Sequence, residues 1–163
     1  MRHHDPVDDD VVDLDDLTGR AFSGVALGRE DLAALRTYSE DHASVSAGVF
    51  LAGDRAWIGF TDDPEEHLAV VRQRLNRPVT CGAFRATHSL HTLRALHAQI
   101  NADHVELAAL GIDVTMVGVS ETANRLLLGI AAPLSDEQRH LLQERYPMAL
   151  IVLSEGIVPQ QAR

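Results

Sequence analysis

Residues 112–153 read IDVTMVGVSETANRLLLGIAAPLSDEQRHLLQERYPMALIVL, and this stretch decides the fold. Two apolar segments, Ile112–Val119 and Arg125–Ala131, flank the run Ser120-Glu121-Thr122-Ala123-Asn124, a pattern that predicts two strands joined as a hairpin. Ser135-Asp136-Glu137-Gln138 is a capping box: the serine oxygen accepts from the N–H three residues on, while Gln138 reaches back. A helix therefore opens here and carries Leu141 and Leu142. Tyr146-Pro147 stops it, because the residue before a proline is pushed out of the helical region. Met148–Leu153 then supplies a last strand. The order is β-β-α-β.

The same order precedes it. Leu32, Leu35 and Tyr38 recur at helical spacing over residues 29–41. Ser46–Thr61 predicts a hairpin, with Val49 and Leu51 leading into Gly53-Asp54 and Trp57, Ile58 and Phe60 leading out. Asp63-Pro64-Glu65-Glu66 predicts a helix start, with an aspartate N-cap, proline at N1 and glutamate at N3. Leu68, Val71 and Leu75 line that helix, Pro78 ends it, and Val79–Phe84 follows as a short strand. A single long helix is expected from about Ser89 to Leu110, with Leu93, Leu96, Ile100, Leu107 and Leu110 as its stripe and Gly111 as its C′ residue.

The chain thus reads as helix, ββαβ, long helix, ββαβ, a repeat with a period of roughly 65 residues. From Val79 onward the order is also βαββαβ, the ferredoxin-like split arrangement. The expected class is α+β: repeated ββαβ units around a long helix, the C-terminal half ferredoxin-like, with helices on one face of mainly antiparallel sheets. An acidic, disordered tail is expected over residues 1–20 and an α+β domain over 21–155, with lobes at about 29–84 and 79–155. Residues 156–163 are expected to be a flexible tail.

Composition narrows the function. The net charge is −10, and residues 1–16 alone hold seven Asp against one Arg. Such a block of like charge reads as a solubilising tail, with an arm for a basic partner or a weak cation site with His3 and His4 as the alternatives. A general nucleic-acid partner is not expected, because phosphate neutralisation needs clustered cations. Lysine is absent among 14 basic residues, which fits a high-GC coding bias. The apolar runs Leu126–Ala132 and Met148–Leu153 are about a third of a membrane span, so no membrane partner is expected either. With Met1 as the start and no apolar signal stretch, the expected compartment is cytoplasmic.

No motif frames an active site. Four histidines, His88, His91, His97 and His104, fall close together in the sequence, yet His97 and His104 are about 10 Å apart along a helix axis. His88 and His91 straddle the helix start, enough for at most a two-ligand surface site. Cys81 lies inside an apolar strand pattern and reads as a buried thiol. Gly-x-Ser-x-Gly, Walker A and Gly-x-Gly-x-x-Gly patterns are all missing. Gly118 and Gly129 read as bulges or close backbone approaches within strands. Asp62, Asp63, Glu65 and Glu66 are explained by capping and the helix dipole. No catalytic residue, metal or cofactor is expected, and the chain is expected not to be an enzyme.

Five segments carry a resemblance: Gly48–Gly53, Ile58–Pro64, Thr87–Leu93, Val117–Ile130 and Leu141–Tyr146. In this order they resemble the pro-region of bacterial secreted chymotrypsin-like serine proteases, the α-lytic protease and streptogrisin type. The likeness covers about two-thirds of the chain, and the hairpin at 117–130 is its best match. It implies a non-catalytic module that binds a protein partner, a serine protease or a related protein, as foldase or inhibitor, partly by sheet pairing through its C-lobe. The expected contact residues are Met148, Leu150, Ile151, Val152 and Leu153 of the last strand, with Glu121, Asn124 and Arg125 at the rim of the hairpin. The alternative is a ferredoxin-like small-ligand sensor or a structural subunit, with homo-oligomerisation open.

Overall fold

The computed structural model describes residues 10–21, 23–24 and 27–153. The protein is α+β, with two mixed sheets in two compact units. The first unit contains the chain up to Thr92 together with the turn 121–124; the second contains 93–120 and the chain from Arg125.

In the first unit, β1 (Val11–Asp13) is followed by a short 3-10 turn (Leu14–Asp16), α1 (Arg29–Asp41), β2 (Ser46–Ala52), β3 (Arg55–Phe60), α2 (Pro64–Arg72) and β4 (Cys81–Arg85). The sheet order is β1-β4-β3-β2. Only β2–β3 is antiparallel; β3–β4 and β1–β4 are parallel. A period of two sends alternate residues to opposite faces. One face, with Val49, Ala56, Ile58, Phe60, Cys81 and Ala83, packs with Leu35 and Tyr38 of α1 and Leu68 and Val71 of α2. The other face, with Ala47, Ala52, Trp57 and Phe84, packs with Val12 and Leu17. Burial on both faces explains the near-continuous apolar reading of these strands. Gly59 and Gly82 are required by this packing, since a Cβ on Gly59 would run into the Phe84 ring and one on Gly82 into Trp57.

The second unit contains most of α3 (Leu90–Ala102), then α4 (His104–Ala109), β5 (Val114–Ser120), β6 (Arg125–Ile130), α5 (Asp136–Arg145) and β7 (Ala149–Leu153). Its sheet order is β5-β6-β7, with β5–β6 antiparallel and β6–β7 parallel. Leu126, Leu128 and Ile130 of β6 pack with Leu96, Ile100 and Leu107 of the preceding helices and with Leu142 and Tyr146. The Ser135–Gln138 capping box forms in both directions. No helix among the described residues is long and apolar enough to cross a membrane.

The expected repeat is present. Both ββαβ copies carry a register shift at the same place, between Ser46 and Gly48 and between Val114 and Met116. In the second copy the shift lies opposite Gly129, in line with the bulge read there. Both copies close with a parallel strand whose first residue faces the second residue of the hairpin's return strand or its neighbour: Cys81 faces Ala56, and Ala149 faces Leu126.

Five expectations need correction. The ferredoxin-like sheet does not form, because β4 pairs with β3 and β1 rather than joining β5–β7. Nor are the sheets mainly antiparallel, since each crossover helix delivers its strand parallel. Part of the expected disordered tail, from Asp10 to Leu17, is strand and turn: its apolar residues Val12 and Leu17 are both 4% exposed, and its acids meet arginines. The rest of that expectation at residues 1–9, and the flexible tail over 156–163, lie outside the described residues. The single long helix is two, interrupted at Asp103, where the carboxylate accepts from Tyr146 Oη at 2.5 Å. Backbone bonds from Asp103 N to Gln99 O and from Leu107 N to Asp103 O still bracket the break, which keeps Ile100 and Leu107 in one core. Leu110 leaves the stripe, exposed, as Gly111 turns the chain at φ +77°. Finally, Asp63 precedes α2 in a left-handed conformation, and its side chain makes no cap bond.

Candidate functional site

The candidate contact residues separate into two groups. Glu121 and Asn124 belong with the first unit. Asn124 is buried at φ +50°; its Oδ1 accepts from the N–H groups of Thr87 and His88, both at 2.8 Å, and its Nδ2 donates to His88 O at 2.7 Å. Asparagine suits this position because it tolerates the left-handed region and its amide can both accept and donate. Glu121 Oε2 accepts from Val49 N at 3.3 Å, and a Cβ on Gly48 would press against the Glu121 side chain. Within the first unit these two side chains hold backbone, Glu121 at Val49 and Asn124 at Thr87 and His88.

Met148, Leu150, Ile151, Val152, Leu153 and Arg125 lie together in the second unit. The strand β7 is an outer strand of its sheet, so one row of its backbone groups faces away from β6. Met148, Ala149 and Ile151 lean on the core of the unit, while Leu150 and Leu153 are 38% and 50% exposed. Beside the strand is an open depression of about 310 Å³, lined by Arg125, Arg139, Tyr146, Ala149, Leu150 and Ile151. Arg125 Nη2 donates to the carbonyls of Pro147 and Ala149, each at 3.4 Å. These long bonds fix the guanidinium at the mouth of the strand without neutralising it. The apolar run of the sequence points to β7 but not to Arg139, Tyr146 or Ala149, which line the depression beside it. Arg139 shows as a bare surface cation on a predicted helix, and only the fold brings it to β7.

Other titratable groups are explained by packing. Burial pushes the Cys81 thiol up to about 12, so it is a protonated thiol in a core and a poor nucleophile. Burial, followed by the hydrogen bond to Asp103, pushes the Tyr146 hydroxyl up to about 12. Asp31 is buried, and its two oxygens accept from Asn76 N at 2.8 Å and Arg77 N at 3.0 Å. Tyr38 Oη lies 2.8 Å from His67 Nδ1, with His42 stacked on the Tyr38 ring and Phe60 on His67. Tyr38 and Phe60 of that cluster belong to the first core. Among the described residues, no three His, Cys, Asp or Glu side chains converge on a metal-sized site.

Compared with known proteins, the chain matches no family model, no curated protein and no solved structure.

Proposed function

We propose that this chain is a non-catalytic protein-binding module that takes up an extended segment of a partner along the outer edge of β7. One observation carries the reading: Ala149–Leu153 ends its sheet as an apolar strand with no Lys, Asp, Glu or Pro in it. Natural sheets blunt such edges with charge, proline or a covering element, because bare strand edges recruit other chains. An edge kept apolar supports use as a template, where main-chain hydrogen bonds supply affinity and side-chain pockets supply selectivity. A serine protease of the chymotrypsin-like class is the partner that the sequence resemblance suggests, and it belongs to this proposal alone.

A photo-crosslinking residue placed at Leu150 tests it. A streptogrisin-type protease and a lysate of the source cells are each offered as bait. Adducts from Leu150, and none from the same residue placed at exposed Val70 on α2, are the expected result. Equal labelling from both positions, or none from either, refutes the edge as a docking site.

A further inference from the structure

The repeat allows the two sheet edges to be compared residue by residue. In the first copy, the outer edge of β4 is filled: β1 runs parallel to it, with Val11 opposite Ala83, and Ala83 N donates to Asp10 O at 2.8 Å. The side chain of Asp10 is caught by two arginines, Arg72 Nη2 at 2.9 Å and Arg55 Nη2 at 3.4 Å. Arg55 is the first residue of β3, paired with Ala52 across the hairpin, and Arg72 is on the crossover helix α2. Arg72 also donates to the carbonyl of Cys81, the first residue of β4, at 2.7 Å. Two residues beyond Asp10, Val12 packs with Trp57 and Phe84 on one sheet face.

The second copy has the receiving half of this arrangement. Arg125 is the first residue of β6, paired with Ser120 across the hairpin, and so stands where Arg55 stands. It donates to the carbonyl of Ala149, which stands where Cys81 stands. A second arginine, Arg139, comes from the first half of the crossover helix α5, whereas Arg72 is the last residue of α2; the last residue of α5, Arg145, is paired with Glu106 and Asp103. The depression they share is floored by Ala149, Leu150 and Ile151, the register counterparts of Cys81, Gly82 and Ala83. Leu127 and Val152 take the places of Trp57 and Phe84. Among the described residues neither Arg125 nor Arg139 forms an ion pair with a carboxylate, whereas Arg55, Arg72 and Arg85 all do.

From this correspondence we infer that the β7 edge is a site for an acidic, extended peptide segment of a partner protein, bound parallel to β7. A carboxylate of that segment sits between Arg125 and Arg139. The residue two positions further on, β-branched or apolar, covers Leu127 and Val152. The inference rests on the docking reading above and adds the partner's chemistry, direction and register. Charge complementarity commits it: among the described residues, the two cations that line the depression beside the strand pair with no carboxylate, and the sister pair of cations holds an aspartate.

The probe is the β1 sequence itself, a C-terminally labelled acetyl-Asp-Val-Val-Asp-Leu peptide, titrated into the full chain by fluorescence anisotropy at two salt concentrations. Saturable binding is expected, weakened at least tenfold by Arg139→Glu at an exposed helix position and weakened by added salt. An all-Asn version of the peptide should lose at least tenfold as well. A version N-methylated on both valines should not bind, because it cannot pair with a strand. If the Asn peptide binds as tightly as the Asp peptide and only N-methylation abolishes binding, the acidic assignment is wrong and edge docking survives. If the N-methylated peptide binds as well as the parent, edge docking is wrong too. Binding that ignores Arg139→Glu places the peptide elsewhere, at the β4 edge in exchange for β1, and overturns the inference. So does a concentration-dependent dimer that the peptide cannot dissociate, since the occupant is then a second copy. No saturable binding at millimolar peptide also overturns it.

Discussion

Deleting residues 1–17 removes β1 and the Leu17 side chain, and the burial of that segment sets the size of the loss. Val12 and Leu17 are each 4% exposed, and fully burying side chains of this size stabilises by about 1.5–3 kcal/mol each. Their removal therefore costs about 3–6 kcal/mol before the uncovering of Trp57 and Phe84 is counted. The whole margin of a domain is about 5–15 kcal/mol, so the truncated chain should sit near the limit of folding. With an m-value of about 2 kcal/mol/M in urea, the midpoint should fall by roughly 1.5–3 M. Trp57 is the single tryptophan, 1% exposed and packed with the lost residues, which makes its emission a direct reporter. The truncated chain should emit to the red of the intact protein before any denaturant is added. Leu17→Ala leaves everything ahead of it in place and should by itself cost about 2–4 kcal/mol. An unchanged midpoint and unshifted emission in both variants would refute the account of β1 as structural.

Three further outcomes follow from individual groups. Asn124→Ala removes the acceptor for the Thr87 and His88 N–H groups and puts a Cβ-only side chain at φ +50°; it should cost about 2–4 kcal/mol in urea unfolding, and a cost under about 0.5 kcal/mol would show the clamp to be idle. Cys81, its thiol raised to about 12 by burial, should resist an aromatic disulfide reagent in the native protein and react stoichiometrically in urea. The sign for stability follows: the unfolded thiol ionises above about pH 8.5 while the folded one keeps its proton, so this contribution is intact below that pH and declines as pH rises toward 12. The Arg72 hydrogen bond, against some desolvation, holds the Asp10 carboxyl below its ordinary value; its stabilisation is present above about pH 4 and lost as pH falls through the folded value, so Asp10→Asn should flatten the acid limb of the stability curve.

Much of the fold is legible locally. The Ser135–Gln138 box, the Gly53-Asp54 hairpin and the stop at Tyr146-Pro147 are each signalled by a few adjacent residues, and each stands in the structure. Strand pairing is different, because it depends on which helix face and which sheet edge compete for a segment. The run βαββαβ from Val79 fits a ferredoxin-like sheet in the sequence, yet Cys81–Arg85 completes the earlier ββα and leaves Met148–Leu153 to complete the later one. Charge hid β1. Seven aspartates in sixteen residues outweigh Val11, Val12 and Leu14 in any compositional reading, and only the positions of Arg55, Arg72 and Arg85 show that two of those acids, Asp10 and Asp13, have partners. The candidate site was half visible for the same reason. An apolar strand near Leu150 is a local pattern, whereas its flanking arginines come from β6 and α5 and meet only in space.

The two copies therefore differ less in scaffold than in what fills the outer edge. Each has the antiparallel hairpin, the crossover helix, the parallel third strand, the arginine that opens the return strand and a second arginine on the helix. In the first copy an intramolecular strand supplies the carboxylate and the apolar cover, at the loop-closure cost of a connected segment. In the second, among the described residues, Arg125 and Arg139 pair with no carboxylate, Arg125 donates only to the carbonyls of Pro147 and Ala149, and the strand edge beside them carries no charge. Both features become favourable together when an acidic strand arrives. That joint dependence is the physical argument for reading the β7 edge as a receptor for a segment of the same chemistry as β1.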